Sequence, residues 1–431
     1  EVLEEWLSCQ HAWLTLEPIF SSDDVKQQLK QGRTYEHLEQ RWKSVMSIDF
    51  SDQNVIELCQ NVQLLNKLKR CNVFLENAQK DLCDYLEKKR SSFPRFFFLS
   101  DVELLEILSQ SKDPTAVQRQ LHKCFGNISQ LQFQSDLQIT HMYSKEEEQV
   151  KLSLPVAPVG NVDIWLTALE KSMKATLRDS IESALKVYSE QPHVEWVLSW
   201  PGQVVIASFQ VFWTAEVSEA LEKGDLTNLH PRLQNQLADL VQLMRGHHSK
   251  MQQAVLSSLI VIGVHTKDVI SKLVEEEVST INDFEWISQL RYYWTKEDLY
   301  IRDMNAEFLY GYEYLGNSSR LVITPLSERC YLTLTGALNL KLGGGLAGPA
   351  GAGKTETIKD LGKALAIHTV VFNCSDQLNT FAVGKFLKGV ASSGAWACLD
   401  DIVHIAVEVL SVLAQQISTI QKAQQQQAST G

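Results

Sequence analysis

A chain of 431 residues is longer than one hydrophobic core usually supports, so two or more domains are expected. Lys and Arg number 40 against 52 Asp and Glu, a net charge of −12, and no basic cluster interleaved with aromatic residues occurs, which disfavours a nucleic-acid partner. Eight cysteines (Cys9, Cys59, Cys71, Cys83, Cys124, Cys330, Cys374, Cys398) in apolar surroundings show no C-x-x-C spacing, and no apolar stretch approaches a membrane span; reduced core thiols in a cytosolic protein are expected, without a signal peptide, zinc site or membrane partner.

The chain opens on Glu1 rather than Met and so reads as a piece of something longer. Leu3, Trp6, Leu7, Trp13 and Leu14 fit one face of a first helix, which Pro18 breaks before Ser21, Ser22, Asp23 and Asp24 cap the next. Residues 54–90 form an amphipathic stretch with Val55, Leu58, Val62, Leu65, Leu68, Leu82, Tyr85 and Leu86 inward. Ser100 and Glu103 make a capping box ahead of Leu104, Leu105 and Leu108. Helical patterns then cover 115–130, 161–190, 203–223, 226–247 and 249–277, an elongated helical assembly without a catalytic constellation. Its aromatic residues read as core, the charge runs at 145–148 and 275–277 as solvated faces or loops, and His247 and His248 as helix surface. Between Tyr292 and Tyr314 aromatic and β-branched residues alternate with polar ones, as in a short hairpin or extended connector, and the hinge between two parts is expected there.

Beyond it the composition changes: seven of the 21 glycines fall between Gly336 and Gly353, and none between Gly32 and Pro94. Gly348-Pro349-Ala350-Gly351-Ala352-Gly353-Lys354-Thr355 is a complete G-x-x-x-x-G-K-[ST] phosphate loop, preceded by an apolar run at 338–346 that is expected to be a strand and followed by a helix. The glycines let backbone N–H groups turn onto the phosphates of ATP, Lys354 supplies a cation for the β and γ oxygens, and the Thr355 hydroxyl can ligate Mg²⁺. These eight residues with Glu356 are the candidate nucleotide contacts. Ala395-Trp396-Ala397-Cys398-Leu399 reads as a strand ending in two acids: Asp400 to hold the Mg²⁺, and Asp401, catalytic with Lys354, to orient the attacking water. Residues 368–374 read as another buried strand, which completes the rhythm of a parallel α/β sheet, and the glutamine-rich end at 421–431 reads as frayed or disordered.

On these residues the chain resembles an axonemal dynein heavy chain, from its linker region into the first AAA+ module. The resemblance rests on Glu4-Glu5-Trp6-Leu7, Trp13-Leu14, Phe93-Pro94-Arg95-Phe96-Phe97-Phe98, Lys112-Asp113-Pro114, Tyr310-Gly311-Tyr312-Glu313-Tyr314, the phosphate loop, Lys359-Asp360-Leu361 and Val371-Phe372-Asn373-Cys374-Ser375-Asp376, and it spans nearly the whole chain. It implies an elongated all-α linker at 1–305 followed by a partial α/β P-loop AAA+ module with a parallel sheet at 306–431. It further implies ATP and Mg²⁺ as cofactors, and hydrolysis that drives linker movement and force on microtubules in cilia and flagella. The implied location is the cytoplasm and the axonemal cytoskeleton; the implied partners are intermediate and light chains, other heavy chains, and microtubules through regions outside this chain. Residues 321–326 are similar to the family's stretch beside the adenine.

Two departures stand out. The family's Asp-Glu is Asp400-Asp401 here, and its following Asn-Arg is Val403-His404. Aspartate is one methylene shorter than glutamate, which sets its carboxylate about 1 Å back from the water, a displacement that can cost about a hundredfold in rate. The chain also stops before the family's further strands, one of which lies between the phosphate-loop strand and the Asp400 strand, and before its sensor and helical lid; a sheet lacking that strand exposes unpaired edges. Three functions are therefore weighed: an ATP-binding part of a motor, a non-hydrolysing nucleotide-binding or docking element, and a small-molecule P-loop kinase, which the long helical region and the lack of an arginine-bearing lid disfavour.

Overall fold

A computed structural model describes residues 1–20, 40, 42–43, 59–109, 113–375 and 378–430. The expected cap at Ser21 to Asp24, the inward Val55 and Leu58, and Lys112 and Asp376 lie outside the described residues. Two compact units emerge, one of residues 1–120 with 158–166 and the other of 121–157 with 167–431.

In the first unit, α1 (Val2–Phe20) packs on α2 (Val62–Ser92). The buried stripe of α1 is Val2, Cys9, Trp13 and Leu16, so Leu3, Leu7 and Leu14, expected to face inward, are 54%, 67% and 58% exposed. That stripe is the one facing Leu64, Leu68, Cys71 and Leu75 of α2, and the Asn72 amide fixes the pairing by donating to the Glu5 carbonyl at 3.0 Å and its carboxylate at 2.6 Å. The helix also continues through Pro18, which the sequence reading took as its end. Leu82 and Leu86 of α2 are buried as expected, while Val62 is exposed. The turn at 93–99 closes around the buried Arg90, which donates to the carbonyls of Phe96 and Leu99 and to the Asp101 carboxylate. The capping box of α3 (Asp101–Ser109) forms in both directions, with Ser100 and Glu103 exchanging side chain to amide bonds of 2.9 and 3.3 Å.

The second unit corrects the expectation of an all-α linker. It holds two three-stranded antiparallel sheets, β1 (Gln130–Phe133), β2 (Ile139–Tyr143) and β3 (Gln149–Val156), and β4 (Arg291–Thr295), β5 (Asp298–Asp303) and β6 (Ala306–Leu309). Helices α4 (Val162–Val187, which begins in the first unit), α5 (Gly202–Lys223), α6 (Leu226–Met244) and α7 (Lys250–Glu275) fall where their periodicity puts them. Residues 115–130 form only short helical turns before β1. Trp213, Val217 and Leu221 of α5, Leu229 and Leu233 of α6, and Val269, Ile270 and Leu273 of α7 close one core around Trp286. Contrary to the sequence reading, α5 and α7 are long and apolar enough to cross a membrane by length and composition; 67% and 50% of their apolar windows are buried within the fold. His247 and His248 occupy the turn between α6 and α7 rather than a helix surface, and the His248 ring caps α6 by bonding the Leu243 carbonyl.

One residue of the 145–148 charge run is not solvated. Glu148 is buried and accepts from the Gly202 amide at 2.8 Å and the Tyr314 hydroxyl at 2.6 Å, which binds the β2–β3 turn, the start of α5 and the segment after β6 to one another. Glu313 repeats the pattern by accepting from the Gly126 amide, and Gln203 bridges Glu313, Tyr310 and Leu315.

Helix α8 (Pro325–Asn339) starts at the Thr324 and Ser327 capping box and is tied to β5 through the Thr335 hydroxyl and Asp303. Residues 338–346, expected as a strand, are the end of α8 followed by irregular chain. Gly343, Gly344 and Gly345 lose the most conformational entropy in a strand, and among the described residues no third strand joins the parallel pair β7 (Thr369–Asn373) and β8 (Trp396–Asp400) to satisfy their backbone. Helix α9 (Lys354–Ala364) packs on β8, and Phe372 of β7 stacks on Phe386 of α10 (Thr380–Ser393) at 4.4 Å. The glutamine-rich end, expected to fray, continues α11 (Val407–Thr430) as helix. Five of the cysteines are buried, Cys330 is partly so, and Cys59 and Cys83 are exposed, unlike the core thiols expected.

Candidate nucleotide-binding site

The loop before α9 is shaped by two glycines in left-handed backbone, Gly351 at φ +75° and Gly353 at φ +81°. Gly353 caps the helix, and nothing lies within 4 Å of where its Cβ would stand, so the backbone conformation rather than space requires glycine. An L side chain held there costs roughly 1–2 kcal/mol. The free N–H groups of the first turn of α9 and its positive dipole end then face the loop, a ready anion site.

Lys354 folds its ammonium back over the loop and donates to the carbonyls of Gly348 at 3.1 Å and Pro349 at 2.9 Å. The next residue reaches the sheet: the Thr355 hydroxyl donates to Asp400 Oδ1 at 3.0 Å. Asp400 is delivered there by the register of β8 on β7, in which it pairs with Asn373 and its carbonyl accepts from the Cys374 amide at 3.0 Å. Lys354, Thr355 and Asp400, predicted from sequence, are therefore brought together. A hydroxyl and a carboxylate at this distance are hard oxygen donors of the kind Mg²⁺ takes, since that ion uses one or two carboxylates and leaves its other positions to phosphates and water.

The other two predicted residues are placed differently. Glu356 pairs with Lys359 at 2.7 Å on the exposed flank of α9. Asp401 leaves β8 in the left-handed conformation, φ +52°, and is exposed; among the described residues no hydrogen bond joins its carboxylate to the loop. Val403 and His404 in the turn that follows are exposed as well. Burial first, and then the charges of Asp400 and Asp401, push the Cys374 thiol up, so it stays neutral beside the acids.

A buried network centred on Asp360, of the Lys359-Asp360-Leu361 motif, stands behind the loop. Asp360, on the inner face of α9, accepts from Arg320 Nε and Nη2 at 3.0 Å each, from the Leu321 amide at 3.0 Å and from the Tyr331 hydroxyl at 2.7 Å. Burial raises its carboxyl, but the Arg320 charge and these donors outweigh it and hold the group below the ordinary aspartate range. The carboxy-terminal end of α9 is gripped in turn: the Tyr292 hydroxyl donates to the Ala364 carbonyl, and the amides of Gly311 and Glu313 to those of Leu365 and Ala366.

Residues 1–184 match the family described as dynein heavy chain, N-terminal region 2, and residues 310–430 match the hydrolytic ATP binding site of dynein motor region. The chain belongs to the dynein heavy chain family. It is 63% identical over 428 residues to dynein axonemal heavy chain 1 of Homo sapiens, an alignment covering 99% of this chain and 10% of that protein. It is 51% identical over 427 residues to dynein axonemal heavy chain 3 of Mus musculus, covering 98% and 10%, and 50% identical over 432 residues to dynein axonemal heavy chain 12 of Mus musculus, covering 99% and 14%. The chain thus spans about a tenth of the length of the first two dyneins. The ATP-binding match contains the phosphate loop and Asp400, so this dynein stretch is a nucleotide-binding one.

Proposed function

We propose that this chain is the ATP-binding part of an axonemal dynein motor subunit, a linker at 1–305 followed by a partial AAA+ module at 306–431, working in the cytoskeleton of cilia and flagella. The observation that carries the proposal is the 3.0 Å bond between Thr355 and Asp400 under a glycine loop crossed by Lys354. In this reading the loop amides and the amino-terminal end of α9 bind the phosphates, and Lys354 exchanges its two carbonyl partners for the β and γ oxygens. Thr355 and Asp400 hold Mg²⁺, which when bound neutralises charge on the transferring phosphoryl group. Asp401 orients the attacking water, and hydrolysis in the whole heavy chain moves the linker. Intermediate and light chains, other heavy chains and microtubules are its partners in that assembly.

A second reading, in which nucleotide is held and turned over slowly or not at all, rests on the departures at Asp401, Val403 and His404: among the described residues the short Asp401 carboxylate leaves the strand without a bond to the loop. Calorimetry with Mg²⁺ and ATP tests the shared part of both readings. Lys354→Ala is expected to weaken ATP by about tenfold or more, because charge-assisted hydrogen bonds contribute roughly 1.5–3 kcal/mol each. Equal affinity in folded variant and parent would remove the site assignment.

A further inference from the structure

Two buried sulfurs face one another across the first helix pair. In α1 the Glu5 carbonyl points one turn on, toward Cys9, and it accepts from the Asn72 amide of α2 at 3.0 Å, so Cys9 stands level with Asn72 and with its neighbour Cys71. The thiols of Cys9 and Cys71 are hydrogen-bonded to each other. Both residues belong to the stripes through which the two helices pack, and both are buried. A disulfide asks for facing β carbons about 4 Å apart, and two thiols already in contact across a helix seam come to that spacing with little movement of either backbone. The bond to Cys71, and then burial, push the Cys9 thiol up, so it keeps its proton while the helices are packed.

We propose that Cys9 and Cys71 are a crosslinking pair, which a peroxide oxidises to a disulfide that locks α1 onto α2. The step starts with an opening of α1, because one thiol must meet the oxidant and lose its proton to water. The thiolate then attacks the O–O bond, keeping one oxygen as a sulfenic acid and releasing the other as hydroxide, which the lost proton converts to water. Repacking returns the second thiol to the sulfenyl sulfur. The S–S bond forms as the S–O bond breaks, and the hydroxyl leaves with the second thiol's proton as another water. Two thiols and one peroxide thus give one disulfide and two waters. In a reducing compartment such a pair stays open and closes only under oxidant. Cys83, about 18 Å along α2 from Cys71, is out of its reach.

The test treats the full 431-residue chain with hydrogen peroxide, blocks the remaining thiols under denaturing conditions and maps the peptides by mass spectrometry without reduction. A peptide pair joined through Cys9 and Cys71 is expected. Amide exchange over Val2–Phe20 is expected to slow about tenfold or more, because the crosslink removes the opening of α1 from α2, and dithiothreitol is expected to restore it. A chain carrying Cys59→Ser and Cys83→Ser, both at exposed positions, is expected to form the same link, which separates direct closure from exchange through those thiols. Recovery of Cys9 and Cys71 as free thiols once Cys59 and Cys83 of the parent are oxidised overturns the proposal, as does pairing of either with another cysteine. A link that leaves exchange in α1 unchanged overturns the lock.

Discussion

In the proposed site, one methylene at Asp401 decides how far its carboxylate reaches toward a water in line with the γ phosphate. The backbone adds to the shortfall, because the residue exits β8 at φ +52° while Asp400, one position earlier, is fixed by the sheet. On the proposed reading, ground-state contacts come from the loop, Lys354 and Thr355, whereas the second acid acts on the water only as the transition state forms. Asp401→Glu in a full-length heavy chain carrying this sequence is therefore expected to raise single-turnover hydrolysis, by up to about a hundredfold, with ATP affinity unchanged. Unchanged or slower hydrolysis would show that Asp401 already reaches the water or that Val403 and His404 set the limit.

Helix α9 is held at both ends by different chemistry, with the glycine loop at one and backbone carbonyls bonded to Tyr292, Gly311 and Glu313 at the other. Gly311 allows the second grip: a Cβ there would run into the backbone carbonyl of Ala366, which a flexible side chain could avoid and backbone cannot. Gly311→Ala is thus expected to cost about 1–3 kcal/mol in denaturant unfolding, and a variant as stable as the parent would show that this end of α9 moves freely. The loop, β7, β8 and the long helices were legible because motif spacing and periodicity are local. The sheet of β1 to β3 was missed although Val150 and Leu152 alternate with Gln149, Lys151 and Ser153, since eight residues of alternation are brief beside long helical patterns. The strand expected at 338–346 failed for a non-local reason, the need for a neighbour's backbone, which no local pattern reports. Asp360 was legible as a motif residue but not as a partner of Arg320, forty positions away.

The two parts read from the sequence, divided at 305, meet a fold in which the segment just after that point is structural for what precedes it. Glu313 supplies the acceptor for the Gly126 amide, Tyr314 supplies a donor to the buried Glu148, and the Leu315 carbonyl accepts from Asn127. All three ties run between residues more than 160 positions apart, which is why sequence periodicity placed a hinge there and could not place a clasp. A chain ending at residue 305 would also lose β6 and leave Glu148 buried with one donor fewer. A buried polar group stripped of its partner costs about 1–3 kcal/mol, and several such groups are exposed to that cost together. A chain of residues 1–305 is accordingly expected to melt at least about 6 °C below one of residues 1–319, which keeps the clasp and equally lacks α9. Coincident melting of the two, followed by circular dichroism, would mean that residues 306–317 lie on the preceding fold without supporting it, and that the boundary at 305 is the true one.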